Sequence, residues 1–363
     1  MNIYPYLCKK FELVMFGQKQ YIEKTWSKFV LTKNGYDPFI DYLKGLCIIF
    51  VIINHCMPED IMAKTAFFFW GVSAVPIFLI IQVFHAYKRG VKKSKLNFKK
   101  IWGKIVWPFL LAELTILIAY IIRDHHLTYK EVINDTLCMI KSGGYGPGAY
   151  YPFIYLQFAI ILPIIACFLK SHKPYLCILF IIISQLSETV CSYLHLPQLA
   201  YRLLFLRYIF IFYLGYLLAY KGFILNLYTF CISAICLAFS TYIVYSHQSF
   251  SPFLYDFVNP VCHWFCYIYI AFILLFVLKQ LFYRFKANTF IRHYIIKAGK
   301  YSYEVFLFQI VYFAIADKYI NNYLIFYISY NYIYIIIKII LPVIICTIPI
   351  IIYKEKKYEN KII

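Results

Sequence analysis

Residues Phe39 to Cys56 read FIDYLKGLCIIFVIINHC. The run is apolar enough to enter a bilayer, yet it holds Asp41, Lys44 and His55. An ionisable group in a membrane helix is costly and marks a function or a dedicated partner. Lys44 and His55 stand eleven residues apart. Eleven steps of an α-helix return to within about 20° of the same face. Asp41, three residues before Lys44, joins that face. The stretch therefore predicts one membrane helix with a polar stripe inside an apolar wrapper. At about 1.5 Å per residue, Lys44 and His55 lie about 16 Å apart along the axis, so they do not touch. If both act, they act on different parts of one long ligand, or at opposite ends of a tunnel.

Composition extends the apolar half of this pattern to the whole chain. Of 363 residues, 63% are hydrophobic and 14% are charged, whereas a soluble domain carries about 25% charged residues. Mean hydropathy is +0.69. The expected fold class is all-α: a polytopic membrane helical bundle. The formal charge of +20 raises the question of nucleic acid. The basic residues, however, sit in short blocks between apolar runs, a pattern of membrane topology, and no nucleic-acid partner is expected. Six of the 12 Cys are Cys47, Cys167, Cys177, Cys231, Cys236 and Cys346, all inside apolar runs, where cysteine behaves as a small apolar residue. Cys262, His263 and Cys266 have a helical spacing that metal ligands sometimes use, but helix packing is the plainer reading and no metal is expected.

In chain order, residues 1–36 form a basic N-terminal segment with Lys9, Lys10, Lys19, Lys24, Lys28 and Lys33. It lacks the apolar core and small-residue cleavage site of a signal peptide. Ten runs of roughly bilayer length follow, near 38–56, 66–87, 104–122, 151–169, 175–194, 203–220, 224–245, 260–279, 299–316 and 332–353. Residues 37–353 read as one membrane domain and 354–363 as a basic tail. Alternate loops are rich in Lys and Arg: the one after the second run holds Lys88, Arg89, Lys92, Lys93, Lys95, Lys99 and Lys100, whereas 246–259 has none. This alternation predicts that both termini are cytoplasmic.

Further polar residues interrupt the apolar runs. Glu304, in GKYSYEVFLFQIVYF (299–313), is expected at about the depth of Lys44, and an ion pair between them would solve the burial of both. Gln309 lies deeper, Glu113 is central in the third run, and Gln157 is in the outer half of the fourth. Arg202 and Arg207 mark the outer start of the sixth, level with His55. Gln82 is expected to bond a neighbouring helix. His85, His125, His126, His172 and His293 fall in or near loops and are expected to be solvated. His55 differs, because a titratable ring at the outer boundary suits a general base. SGGYGPGAYY (142–151) concentrates glycine and proline and predicts a tight, specifically shaped turn. It lacks the pattern of a phosphate loop. Tyr145, Tyr150 and Tyr151 beside it suit either sugar stacking or an interfacial aromatic belt.

Several of these stretches together resemble the integral-membrane acyltransferase-3 family. They are DYLKGLCIIFVIINH (41–55), AVPIFLIIQVFHAYK (74–88), GGYGPGAYYPFIYLQFAIILPII (143–165), RYIFIFYLGYLL (207–218) and GKYSYEVFLFQ (299–309). The basic residue followed by His in the opening helix corresponds to Lys44 and His55. The chain departs from the family in three places. Lys44 stands where many members have Arg, Ile81 and Gln82 where a Ser-Gly pair is frequent, and Gln309 where a late His is frequent.

The resemblance implies O-acylation of an extracytoplasmic glycan. An acyl group, most often acetyl, would move from acyl-CoA to a hydroxyl of a glycan or lipid-linked saccharide. Acetyl-CoA would be a co-substrate, and no bound cofactor is expected. On this reading the catalytic residues are His55, Lys44 and Glu304. His55 takes the proton of the acceptor hydroxyl, or carries the acyl group transiently, and Lys44 draws the anionic CoA end. Asp41, Tyr150, Tyr151, Gln157, Arg207 and Gln309 are candidates to bind substrate. The expected place is the plasma (inner) membrane of a bacterium, in contact with membrane lipid. A transporter or flippase for a lipid-linked saccharide is the alternative; it predicts inverted repeats and broken helices, and no repeat is visible.

Overall fold

A computed structural model of the chain describes residues 37–88, 98–123, 129–169, 175–196, 198–222, 225–246, 263–284, 289–317, 319–320 and 332–360. Contacts divide the chain into Met1–Pro38 and Phe39–Ile363, and the features below belong to the second part. Among the described residues every regular element is helical and none is a strand. Lipid imposes this outcome, because a helix satisfies its own backbone hydrogen bonds where no water can.

The principal helices are α1 (Pro38–Cys56), α2 (Ala74–Lys88), α3 (Trp102–Arg123), α4 (Tyr129–Ser142), α5 (Tyr151–Leu169) and α6 (Tyr175–Tyr193). They continue with α7 (Ile209–Lys221), α8 (Leu227–Ser246), α9 (Trp264–Arg284), α10 (Thr289–Lys300), α11 (Ser302–Ala316) and α12 (Tyr332–Glu359). Among the described residues seven stretches are long and apolar enough to cross a bilayer: α1, Phe67–Lys88 (which contains α2), α3, α6, α8, α9 and α12. Tyr151–Ala166 of α5 and the whole of α11 are apolar but shorter, and α7 has 13 residues. Among the described residues each of the ten expected runs contains helix, and seven stretches have spanning length and apolarity. The basic loops 89–97, 170–174 and 285–288 and the segment 1–36 lie outside the described residues, as do His125, His126 and His172. The expected C-terminal tail begins as helix, since α12 runs on to Glu359.

Burial separates inner from outer helices. About half of the apolar window is buried in α1 (50%), Phe67–Lys88 (56%) and α9 (50%), against 17% in α3, α8 and α12. The outer face of α3 carries Leu110, Leu114, Ile118 and Ile122, all exposed, while Phe109, Glu113 and Ile116 are buried. Two stripes of one helix, one suited to hydrocarbon and one to protein, account for that split.

Glycine sets the closest approaches. A Cβ on Gly45 would stand 1.9 Å from the Ile295 carbonyl oxygen, and one on Gly299 would stand 1.7 Å from that of Asp41. The backbones of α1 and α10 therefore touch at Asp41–Gly45, which only small residues allow. On the other flank, Phe158 of α5 stacks on Phe212 of α7 with ring centroids 4.2 Å apart. The close approach to α10 fixes the orientation of α1 and so decides where its polar stripe points.

Candidate functional site

The stripe points inward. Lys44, Ile48, Val51, Asn54 and His55 of α1 line a cavity of about 600 Å³. The steps between the first four of these residues keep one helical face turned to the cavity. Across from α1 are Phe78, Gln82 and His85 of α2, Gly144, Gly146, Pro147, Gly148 and Ala149, Tyr150, Tyr151 and Tyr155, Arg202 and Arg207, and Ser302, Tyr303 and Phe306 of α11.

The cavity has two chemically different ends. At one end Lys44 forms an ion pair with Asp41, one turn earlier on α1. Asp41 is buried, does not reach the wall, and holds the ammonium in place. At the other end the His55 ring meets Phe313 edge-on, centroids 5.6 Å apart. Phe313 sits in a π-helical turn, Tyr312–Ala316, a local widening often found at functional sites. A second π turn, Trp102–Val106, also reaches the cavity, where the Ile105 carbonyl accepts the Tyr303 hydroxyl at 2.6 Å.

The glycine-rich turn forms the wall near His55. Gly143, Gly144, Gly146 and Gly148 have φ of +84°, +120°, +83° and +85°. Residues with a Cβ rarely adopt such values, so glycine is required here. Two polar side chains from neighbouring helices clamp the turn. Glu113 of α3, itself buried, accepts the Tyr145 N–H at 2.7 Å. Gln309 of α11 donates to the Pro147 carbonyl at 3.3 Å. The fit is tight, because a Cβ on Gly144 would stand 2.7 Å from Glu113 Oε1, and one on Gly146 would stand 2.9 Å from Ile310 Cγ2.

Gln157 makes a third clamp. It donates to the Leu203 carbonyl at 2.7 Å and accepts the Phe205 N–H at 3.1 Å. It thereby fixes the break between helix Gln198–Leu203 and the 3-10 turn Phe205–Tyr208. Arg202 and Arg207 hang from those two pieces. Arg207 is buried, with its guanidinium about equally far from the Tyr201 ring (5.2 Å) and the Tyr208 ring (5.1 Å). Leu203 touches the turn at Gly143, and Gly146 touches Ile310, one turn from Phe313. Both arginines therefore belong to the His55 end.

Of the residues the sequence singled out, Lys44, His55, Tyr150, Tyr151 and Arg207 line one cavity. Four do not. Asp41, Gln157 and Gln309 hold protein atoms that shape it, so the structure gives them positioning contacts rather than access to substrate. Glu304 pairs with Lys354 of α12 at 2.5 Å and not with Lys44. The expected Lys44–Glu304 pair is absent because Lys44 has Asp41 on its own helix. Position 303, about 100° around α11 from 304, is the one that faces the cavity. His293 is on α10, and His85, expected in solvent, is half-buried and lines the wall. Gln82 does bond a neighbouring helix, donating to the Tyr155 carbonyl at 3.0 Å, and also faces the cavity.

Asn54, Tyr155 and Tyr303 are lining residues that the sequence reading missed. Tyr155 had a signal, since it lies one turn after Tyr151. The other two depend on how the helices are rotated in the bundle. His263 is taken by a buried contact to Glu188, Nδ1 to Oε1 2.7 Å. Among the described residues no cluster of three or more His, Cys, Asp or Glu is placed to hold a metal.

A family model described as an acyltransferase domain matches residues 37–352, nearly the whole described chain. No curated protein matches.

Proposed function

Because this chain belongs to acyltransferase family 3, we propose that it moves an acyl group, acetyl in the first instance, from acyl-CoA to a hydroxyl of an extracytoplasmic glycan. On this reading the chain crosses the plasma membrane ten times with both termini in the cytoplasm. The observation that carries the proposal is the shared cavity, which has Lys44 at one end and His55 at the other. An extended thioester donor needs a passage of that kind, since its cofactor part and its reacting carbon lie far apart.

The chemistry assigned to the residues is as follows. Lys44, held by Asp41, attracts the anionic end of the donor. A ring nitrogen of His55 takes the proton from the acceptor hydroxyl as its oxygen attacks the thioester carbon. The carbon–sulfur bond of the tetrahedral intermediate then breaks. The leaving thiolate takes the proton back from His55, which ends the cycle in its starting form. Apolar walls from Ile48, Val51, Phe78 and Phe306 exclude water, which would otherwise compete with the alcohol.

The test is transfer of labelled acetyl from acetyl-CoA to glycan by the purified, lipid-reconstituted chain, with His55→Ala as the comparison. Label on the glycan with the parent protein and none with the variant supports the proposal. Saccharide flux across vesicles without any acyl transfer would favour a transporter instead.

A further inference from the structure

A glycine that lines a cavity does so with backbone atoms, having no side chain to offer. Gly146 and Gly148 line this one. Other amides of their turn are spent on the protein. The Gly143 N–H donates to the Ile140 carbonyl at 3.3 Å, Tyr145 to Glu113 at 2.7 Å, Ala149 to the Gly146 carbonyl at 3.5 Å and Tyr151 to the Gly148 carbonyl at 2.9 Å. Pro147 has no N–H to give. Among the described residues the N–H groups of Gly146 and Gly148 meet no acceptor. A backbone amide is an obligatory donor, so two unused ones beside a largely apolar space call for a visiting oxygen. The direction of the Gly148 amide follows from its neighbour. The Pro147–Gly148 peptide is trans, so its C=O and N–H point opposite ways. Gln309 of α11 holds that carbonyl at 3.3 Å, which turns the Gly148 N–H away from Gln309. The same helix fills the space where side chains would stand: a Cβ on Gly146 would meet Ile310 Cγ2 at 2.9 Å, and one on Gly148 would meet Phe306 Cε2 at 3.4 Å. From Gly146 to Gly148 φ runs +83°, the negative value a proline ring imposes, and +85°. Alternation of this kind gathers amides around one anion-binding concavity.

We propose that the N–H groups of Gly146 and Gly148 form the oxyanion hole of the acyl-transfer step, with Gln309 as the positioning residue that aims the second of them. This inference rests on reading the cavity as an acyl-transfer site. The acceptor oxygen, relieved of its proton by His55, bonds to the thioester carbon, and the carbonyl π pair moves onto the thioester oxygen. The two amides donate to that oxygen while it is negative. When its double bond to carbon re-forms, the carbon–sulfur bond breaks, the thiolate leaves with the proton from His55, and the amides are as before. Donors fixed in place before the charge develops need no reorganisation, which is what a clamped glycine turn supplies.

The experiment uses the full chain, made by cell-free synthesis into lipid nanodiscs, with acetyl-CoA carrying heavy carbon at the carbonyl. Glycolic acid in place of Gly146 or Gly148 exchanges one N–H for an ester oxygen and keeps the missing side chain missing. Infrared difference spectra read the carbonyl stretch of the bound donor. The stretch is expected at lower frequency in the parent protein than in either ester variant, because the N–H groups polarise the carbonyl. Each ester should also lower kcat for transfer by about 10²- to 10³-fold, with the KM for acetyl-CoA nearly fixed. Gln309→Leu, which folds without unnatural chemistry, should move both readouts the same way by a smaller factor. Glycolic acid in place of Gly222, whose N–H bonds the Leu218 carbonyl at the end of α7, should move neither. A carbonyl stretch that is the same in the parent, the esters and Gln309→Leu overturns the inference and leaves acyl transfer standing. A raised KM for acetyl-CoA with kcat unchanged also overturns it, assigning the amides to binding of the donor. If no acceptor is acylated, the spectra decide alone, since they need only bound donor. A parent protein that binds no acetyl-CoA overturns this inference together with the reading it rests on.

Discussion

At one end of the cavity Lys44 is matched by Asp41 one turn away on the same helix. At the other end Arg202 and Arg207 line the wall together with His55 and the glycine turn. The first end rests on an ion pair within one helix, whereas the second is shaped by side chains from several helices, with Glu113 and Gln309 holding the glycine turn. On the proposed reading the Lys44 end attracts the donor, and the His55 end brings acceptor and base together.

Four substitutions break or sharpen this contrast. The largest effect is expected from His55→Ala, which removes the proposed base from the second end. The rate of labelled acetyl transfer should fall by about 10²- to 10⁴-fold while the protein stays monodisperse in detergent. Next is Glu113→Ala, which leaves the buried Tyr145 N–H without its acceptor and loosens the glycine turn beside His55. A loss of about 1–3 kcal/mol is expected, read as a lower Tm, and Glu113→Gln should restore most of it because an amide oxygen also accepts. Lys44→Ala acts on the other end. The KM for acetyl-CoA should rise about tenfold, equivalent to about 1.4 kcal/mol, with the KM for acceptor nearly fixed. A reversed pattern would exchange the roles of the two ends. The smallest effect is expected from Glu304→Gln. Its partner is Lys354, away from the cavity, and a surface pair of this kind contributes about 0–1 kcal/mol. Transfer should change less than about fivefold by that measure, whereas a larger loss would show that Glu304 acts on the reaction after all.

How much of this was legible beforehand follows from periodicity. The stripe on α1 could be read because Lys44 and His55 are related by helical repeat alone, with no knowledge of neighbours. Apolar runs likewise announced the helices. Among the described residues fewer reach spanning length, because Tyr151–Ala166, Ile209–Lys221 and Ser302–Ala316 are shorter helices. What periodicity cannot supply is the rotation of one helix against another. Glu304 and Tyr303 are adjacent in sequence, yet only Tyr303 faces the cavity. His85 looked like a loop residue because it lies near the end of an apolar run, but α2 continues past it to Lys88. Gln157 and Gln309 looked like ligands for substrate, because a buried amide in lipid needs a partner. Their partners are carbonyls of Leu203 and Pro147, distant in sequence and visible only once the chain is folded. The glycine turn was recognised as a turn from composition, while the carboxylate of Glu113 that holds it comes from a different helix.

A structure of the lipid-reconstituted protein with a non-transferable acetyl-CoA analogue would test the shared passage most directly. The expected result is density for the analogue along α1, its nucleotide end toward Lys44 and its acyl carbon beside the His55 ring and the glycine turn. An analogue bound outside this cavity, or lying in it with the acyl carbon at Lys44, would contradict the assignment of both ends.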